Sequence, residues 1–244
     1  MNIALIGHGT MGREVEQAAR ARKIAVKQVF TIENNLTGIG ITPDALREVD
    51  VCIDFSVPSA VLSNLAAVAR CGKNIVIGTT GWYDKLEEVK RIVEKQRIGL
   101  LYAPNFSIGM NLFYQLLGSA TALIDKVDLY DVAVREIHHR GKIDSPSGTA
   151  LTLGQTILQH SRRKREVTFE TPHAPLRPDQ LQISSTRIGS VVGTHAVTFD
   201  SEADTIEMVH AAKNRTGFAL GALIAAEWLQ GKKGCFTMKD VLTS

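Results

Sequence analysis

The chain has 244 residues and a formal net charge of +3, from 28 Lys or Arg against 25 Asp or Glu. So mild an excess suits small anionic ligands and is too weak to argue for a nucleic-acid surface. Hydrophobic residues at 44% and charged residues at 22% describe a globular chain long enough for one large core or two smaller ones.

Asn2–Ile6 is a short apolar run that ends in Gly7-His8-Gly9-Thr10-Met11-Gly12. A helical period follows through Val15, Ala18 and Ala19 to about Arg22, and Ile24–Phe30 reads as a second strand. Residues 31–40 form an Asn- and Gly-rich loop, and Thr42-Pro43 is expected to cap a short helix. Val51–Asp54 is a third buried strand, Pro58 opens a helix to about Cys71, and Asn74–Ile77 is a fourth strand before Gly78-Thr79-Thr80-Gly81. A charged amphipathic helix from Asp84 to Lys95 leads to a fifth strand, Gly99–Tyr102, and then to Ala103-Pro104-Asn105-Phe106. Strands and helices alternating at this spacing argue for a parallel, doubly wound sheet of the Rossmann type.

The pattern changes after Phe106. Met110–Ile124 is a strongly apolar helix and Val127–Ile137 a long alternating strand. A helix runs from Ser147 to about Arg163, and four strands follow at Val167–Thr171, Gln182–Arg187, Val191–Phe199 and Thr205–His210, with a hairpin turn at 200–204. Strands on short turns imply a mixed or antiparallel sheet with one helical face. The apolar helix Gly217–Gln230 is expected to pack back on the first domain. The fold class is therefore α/β, a doubly wound domain of residues 1–107 plus 217–244 with an inserted α+β domain of residues 108–216. The basic run Ser161–Arg165 reads as a solvated helix end in preference to a polyanion site.

The three cysteines (Cys52, Cys71, Cys235) are odd in number, far apart and in no C-x-x-C pair, so no disulfide framework and no metal site is expected. No basic n-region precedes the first strand, and the most apolar stretch, Phe218–Leu229, contains Glu227 and is too short to span a bilayer. A cytoplasmic protein with no membrane partner is expected.

Gly7-x-Gly9-x-x-Gly12 follows a strand, opens a helix and precedes a second strand, which is the context a dinucleotide fingerprint requires. Gly7 allows the tight turn, Gly9 the approach of a pyrophosphate, and Gly12 close helix–strand packing. His8, Thr10 and Met11 belong to the same loop. Glu33 is the one acidic candidate near the end of the second strand for the adenosine ribose, and no Arg follows it to receive a 2′-phosphate. NADH, or both NADH and NADPH, is expected over strict NADPH. Gly78-Thr79-Thr80 and Ala103-Pro104-Asn105-Phe106 lie at carboxyl ends of strands and are placed to touch ribose and nicotinamide.

The densest stretch is Glu136-Ile137-His138-His139-Arg140-Gly141-Lys142 with Ser147-Gly148-Thr149-Ala150. Histidine exchanges a proton near neutral pH, and helix-start N–H groups receive a carboxylate or phosphate. If the strand continues to His139, the two histidines face opposite ways and do different work. Ser147 or Thr149 can cap the helix, with the N–H groups of Gly148 and Thr149 pointing outward. Arg187, Lys213 and Arg215 are further cations, equally well explained as surface charge.

These stretches, with Val192-Gly193-Thr194-His195, resemble the dihydrodipicolinate reductase family over essentially the whole chain. In that last segment Thr194 stands where the family has Glu. The resemblance implies reduction of a cyclic imine dicarboxylate in the diaminopimelate route to lysine, by hydride transfer from a nicotinamide dinucleotide. It also implies a homotetramer assembled through the second domain's sheet, which makes residues 108–216 the domain of substrate binding and oligomerisation. His138 would match the family's proton donor/acceptor and Lys142 its proton donor; His139, Gly148 and Thr149 would match its substrate-binding groups. Gly7–Gly12, Gly78–Thr80 and Ala103–Phe106 would match its cofactor contacts. The glycine loop is one residue shorter than in some members, and only Glu33 represents the family's acidic/basic pair, which leaves cofactor choice open. Reagents carried by separate domains also imply closure during the cycle. A dehydrogenase of another amino or keto acid would share the first domain without needing His-His-x-x-Lys before Ser-Gly-Thr. A non-enzymatic cofactor sensor would need no acid–base groups at all.

Overall fold

Short aliphatic runs, each followed by a helical period, set the order of elements. In the computed structural model, which describes residues 1–169 and 172–243, the chain begins β1 (Asn2–Ile6), α1 (Thr10–Ala21), β2 (Ala25–Phe30), β3 (Val51–Asp54) and α2 (Val61–Arg70). It continues β4 (Asn74–Ile77), α3 (Leu86–Gln96), β5 (Gly99–Tyr102), α4 (Ile108–Ile124), β6 (Asp131–His138), α5 (Gly148–His160) and β7 (Glu166–Thr168). It ends β8 (Gln180–Arg187), β9 (Thr194–Asp200), β10 (Thr205–Ala211), α6 (Thr216–Leu229), β11 (Gly234–Phe236) and α7 (Met238–Thr243). Two units result, residues 1–108 with 215–244, and residues 109–214.

The first unit is built on a six-stranded sheet of order β11-β5-β4-β3-β1-β2 with every pairing parallel. Successive side chains of a strand point to opposite faces, so one strand feeds two cores. Ile3 and Leu5 join Val51 and Ile53 under Ala18 and Ala19 of α1 and Leu223 and Ala226 of α6. Ala4 and Ile6 join Cys52 and Ile75 under Leu65 and Val68 of α2 and Val89 and Val93 of α3. Each buried Ile, Leu or Val among them contributes about 1.5–3 kcal/mol. The strand order reverses between β1 and β3, the switch point where ligands of open α/β sheets bind.

The second unit carries a five-stranded sheet of order β10-β9-β6-β8-β7. Its central strand β6 is antiparallel to β9 and parallel to β8, so the sheet is mixed. Phe113 and Leu117 of α4 and Leu153 and Ile157 of α5 cover Val134, Ile183, Val197 and Phe199 on one face. A Cβ at Gly154 would stand 2.8 Å from Ile183 Cδ1, so α5 lies close against β8.

Several elements differ from the sequence reading. Thr42 makes the expected cap, accepting from Ala45 N at 3.2 Å, but only turns follow. β6 starts at Asp131 because the chain after α4 winds into turns, with Asp125 N on Thr121 O at 2.9 Å. Helix α5 stops at His160, because Ser161 is extended and its hydroxyl donates to Asp125 at 2.7 Å. The expected strand Val167–Thr171 extends partly beyond the described residues, and β7 ends at Thr168. The basic run is not a solvated helix end throughout: Lys164 is 5% exposed and holds Pro178 O, Gln180 O and Asp131. The short β11 and α7 had no readable period.

Candidate functional site

Gly7 has φ of +86°, a conformation natural to glycine, and its N–H donates to Phe30 O at 2.8 Å. A Cβ there would meet Phe55 O at 2.4 Å, and one on Gly12 would meet Gly7 O at 2.2 Å. At Gly9, in contrast, a Cβ meets nothing within 4 Å. Two glycines are thus closed in by backbone, and the middle one faces open space. Helix α1 starts there with no side-chain cap and no acidic residue in its first turn, which leaves its N-terminus suited to an anion. His8 pairs with Glu16 at 2.8 Å.

A cavity of about 690 Å³ opens at the β1–β3 switch point, lined by Gly7, His8, Gly9, Thr31, Glu33, Phe55 and Ser56 among others. Thr31 Oγ1 donates to Glu33, and this hydrogen bond lowers the Glu33 carboxyl. No Lys or Arg is among the described lining residues. Thr10, Met11 and Gly12 continue from this wall into α1. Gly78, Thr79 and Thr80 follow β4 and Ala103, Pro104, Asn105 and Phe106 follow β5, outside this lining.

Thr79 is turned inward. Its hydroxyl donates to Asp54 Oδ1 at 3.0 Å, and Asp54, fully buried, also accepts from Ser56 N at 2.8 Å and Asn64 Nδ2 at 3.1 Å. Burial pushes the Asp54 carboxyl up, and these donors oppose it. Asp54 therefore ties the loop after β3 to the loop after β4. Phe55 fills the space against Gly78, whose absent Cβ would lie 2.1 Å from the ring, and meets Phe106 edge-on at 6.0 Å.

In the second unit, the alternation of β6 puts Val134, Glu136 and His138 on the covered face and sends Ile137 and His139 the other way. Pairing register then supplies the neighbours: Glu136 stands opposite Ser185 of β8 and His195 of β9, and His138 opposite Arg187. Glu136 is 0% exposed and accepts from Ser147 N at 3.0 Å, Ser185 Oγ at 2.8 Å, Arg187 Nη2 at 2.9 Å and the Ser147 hydroxyl. Burial raises its carboxyl, but the bonds from Ser147, Arg187 and Ser185 outweigh it and hold the group at about 2.

His138 Nδ1 lies 3.1 Å from Glu136 Oε2 but off the line of a hydrogen bond, so their contact is electrostatic. Burial lowers the His138 imidazole, Glu136 opposes this, and Lys142 and Arg187 add to it. His195 packs edge-on against His138 with ring centres 5.0 Å apart, and burial, with the His138 charge adding, holds it at about 4. Glu136, His138 and His195 bring ligand-type atoms within 4.8 Å of one another. The carboxylate, however, already accepts four hydrogen bonds, one from a cation, which opposes an added dication.

The turn after β6 closes through Lys142 N on His139 O at 3.1 Å. Lys142 Nζ donates to Asp144 at 2.7 and 2.9 Å, and Gly148 N–H donates to the same carboxylate, lowering it. Ser147 rather than Thr149 caps α5, accepting from Ala150 N at 3.2 Å, and the Thr149 hydroxyl bonds with Tyr114. Arg187 is no free cation for a ligand: it also holds Lys142 O at 3.2 Å and Asp144 O at 2.6 Å.

Residues 1–106 match the family profile of the dihydrodipicolinate reductase N-terminus, and residues 109–242 match that of its C-terminus. The chain belongs to the dihydrodipicolinate reductase family. A 4-hydroxy-tetrahydrodipicolinate reductase of Christiangramia forsetii is 40% identical over 243 residues, covering 100% of this chain and 98% of the relative. One from Laribacter hongkongensis is 38% identical over 213 residues, covering 84% and 79%. Among solved structures, a dipicolinate-bound dihydrodipicolinate reductase from Paenisporosarcina sp. TG-14 superposes with a TM-score of 0.77 at 23% identity, over 97% of each chain, a likeness of fold. The C-terminal dihydrodipicolinate reductase segment divides in space: its last part, from residue 215, folds into the first unit.

The sequence reading named Glu136, Arg187 and His195 without giving them these roles, and took Asp54 for an ordinary strand end. For Glu136 a signal existed, since the period of two that separates His138 from His139 sets Glu136 beside His138. His195 and Arg187 needed the strand register, which no local pattern supplies.

Proposed function

We propose that this chain reduces 4-hydroxy-tetrahydrodipicolinate with a nicotinamide dinucleotide, as the names of its relatives suggest. The observation that carries the reading is the setting of His138: a buried histidine beside an ionised carboxylate that also holds the Ser147 cap of α5, and next to Lys142. When bound, the dihydronicotinamide supplies the hydride. Its binding would fall to the glycine loop Gly7–Gly12, with Gly78–Thr80 and Ala103–Phe106 at the neighbouring strand ends. The cavity wall supports NADH above NADPH, because Glu33 accepts ribose hydroxyls and repels a 2′-phosphate that no lining Lys or Arg would neutralise.

Hydride addition to a conjugated imine must be balanced by a proton. His138 and Lys142, whose ammonium lies 2.7 Å from Asp144, would hold and move it. His139 and the backbone N–H groups of Gly148 and Thr149 would grip the carboxylates of the substrate. Each charge-assisted hydrogen bond to them contributes about 1.5–3 kcal/mol. A homotetramer through the second unit's sheet is part of the same proposal, supported by Val209 exposed on β10, on the face away from the Met208 side that packs on the core. No described helix is long and apolar enough to cross a membrane.

The test supplies freshly made product of a dihydrodipicolinate synthase and follows NADH and NADPH absorbance separately. Rapid consumption of NADH is expected, and consumption of neither would refute the reading. His138→Ala and Lys142→Ala should fold and lose most turnover.

A further inference from the structure

The segment Val192-Gly193-Thr194-His195 packs against the histidine proposed for proton transfer. A Cβ on Gly193 would stand 2.9 Å from His138 Nε2 and 3.2 Å from its Cδ2, so only a hydrogen fits between that backbone and the ring. The His195 ring stands against His138 at 72° between planes. On its other side, His195 Nε2 lies 3.4 Å from Ser147 Oγ and 3.7 Å from Glu136 Oε2.

Proton counting assigns the tautomer of His195. The hydroxyl of Ser147 has one hydrogen, and it goes to Glu136. Its oxygen accepts from Ala150 N and has a second lone pair facing His195. Nε2 must then carry the proton and donate, which leaves Nδ1 bare, in keeping with its lack of any hydrogen-bond partner. A neutral imidazole suits this place, since burial holds His195 at about 4.

We propose that His195 is a positioning residue of the proton-transfer site: its Nε2–H secures the Ser147–Glu136 pair, and its ring, with Gly193, walls His138 into one orientation. This rests on His138 acting in the reaction proposed above. The device joins two parts of one site, because Ser147 caps the helix whose N–H groups would grip the substrate, while Glu136 sets the charge beside His138. The groups that face His138 are Glu136 from its own strand, His195 from β9, Arg187 from β8, and Lys142 and Asp144 from the turn.

The test compares His195→Ala, His195→Gln and Gly193→Ala. The Gln amide puts an N–H where Nε2–H lies, and Ala admits water beside His138. Two readings are taken: the titration of the His138 ring by ¹⁵N NMR in the substrate-free chain, and the pH profile of kcat with NADH. His195→Ala should raise the pH at which His138 titrates, toward the usual imidazole range, and lower kcat about ten- to a hundredfold, the cost of a displaced reacting group. His195→Gln should restore most of both. Gly193→Ala should disturb the His138 signals and kcat while keeping His195, and it decides the matter if His195→Ala does not fold. An unmoved His138 titration in folded His195→Ala, or a Gln variant as damaged as the Ala variant, would overturn the proposal. The NMR reading stands apart from turnover. Failure of wild-type turnover therefore counts against the function, and failure of the His195–His138 coupling counts against this inference.

Discussion

Glu136→Gln tests the electrostatic account of the second unit most directly. The side chain is fully buried, and its carboxyl is held at about 2 against an ordinary 4.5. A carboxyl lowered in the fold adds stability that is complete above the unfolded value and is lost as pH falls through the folded one. That gap is worth about 3 kcal/mol at neutral pH. Gln has the shape of a protonated Glu, so the variant should lack this contribution at every pH, and the partly buried Arg187 left without its anion adds to the loss. Urea unfolding followed by far-UV circular dichroism at pH 7, 5, 4 and 3 measures the difference. Wild type should exceed the variant by about 3 kcal/mol or more at pH 7, and the advantage should shrink by about 2 kcal/mol at pH 3. Asp125, also held at about 2, titrates in both proteins and cancels. A difference that stays constant from pH 7 to pH 3, or an equally stable variant at pH 7, would refute the reasoning.

Three further outcomes are expected. Gly221→Ala places a Cβ 1.7 Å from Phe106 O, so α6 must shift at a cost of about 1–3 kcal/mol or more, and an unchanged melting temperature would contradict this. Gly9→Ala meets open space in the free chain and should leave the melting temperature nearly unchanged. It should nevertheless weaken NADH binding about tenfold or more in a fluorescence titration, because the backbone loses its approach to the phosphates. Asp144→Asn removes the anion shared by Lys142 and Gly148 N–H, so calorimetric binding of dipicolinate as a dicarboxylate probe should tighten severalfold. Weaker binding would make Asp144 a holder of Lys142 instead of its competitor.

Periodicity made the two sheets legible before any coordinates. Ile3, Leu5, Val51 and Ile53 lie in continuous apolar runs because both faces of their sheet are covered, and β6 alternates because only one face of its sheet is. The glycine loop was legible because Gly7 and Gly12 answer local backbone needs and Gly9 leaves the space that a pyrophosphate would approach. The partners of His138 were not, because they arrive through strand pairing from far along the chain: Arg187 of β8, 49 residues on, and His195 of β9, 57 residues on. Asp54 was hidden for the same reason. Its position after β3 looks like any strand end until Thr79 and Asn64 turn toward it. The segment after Thr42 buries Leu46 and Val49 through turns alone, without the run of helical hydrogen bonds that the cap leads one to expect.

The charges of the second unit fall into two pairs of different character. Glu136 is buried and Arg187 partly so, both are hydrogen-bonded to several elements, and neither can exchange partners without leaving the buried carboxylate unpaired. Lys142 and Asp144 form a pair whose carboxylate is 58% exposed, and a bond of that kind is worth only about 0–1 kcal/mol. On the proposed reading a dicarboxylate would take the place of Asp144 on Lys142 and on Gly148 N–H, trading one set of charge-assisted bonds for another. The Glu136–Arg187 pair therefore fixes the frame, since Arg187 holds the turn backbone at Lys142 O and Asp144 O. The exposed pair leaves the anion on Lys142 replaceable. A site that must both accept a dianion and deliver a proton needs that division, because one rigid set of ion pairs would have no free bonds to offer the substrate.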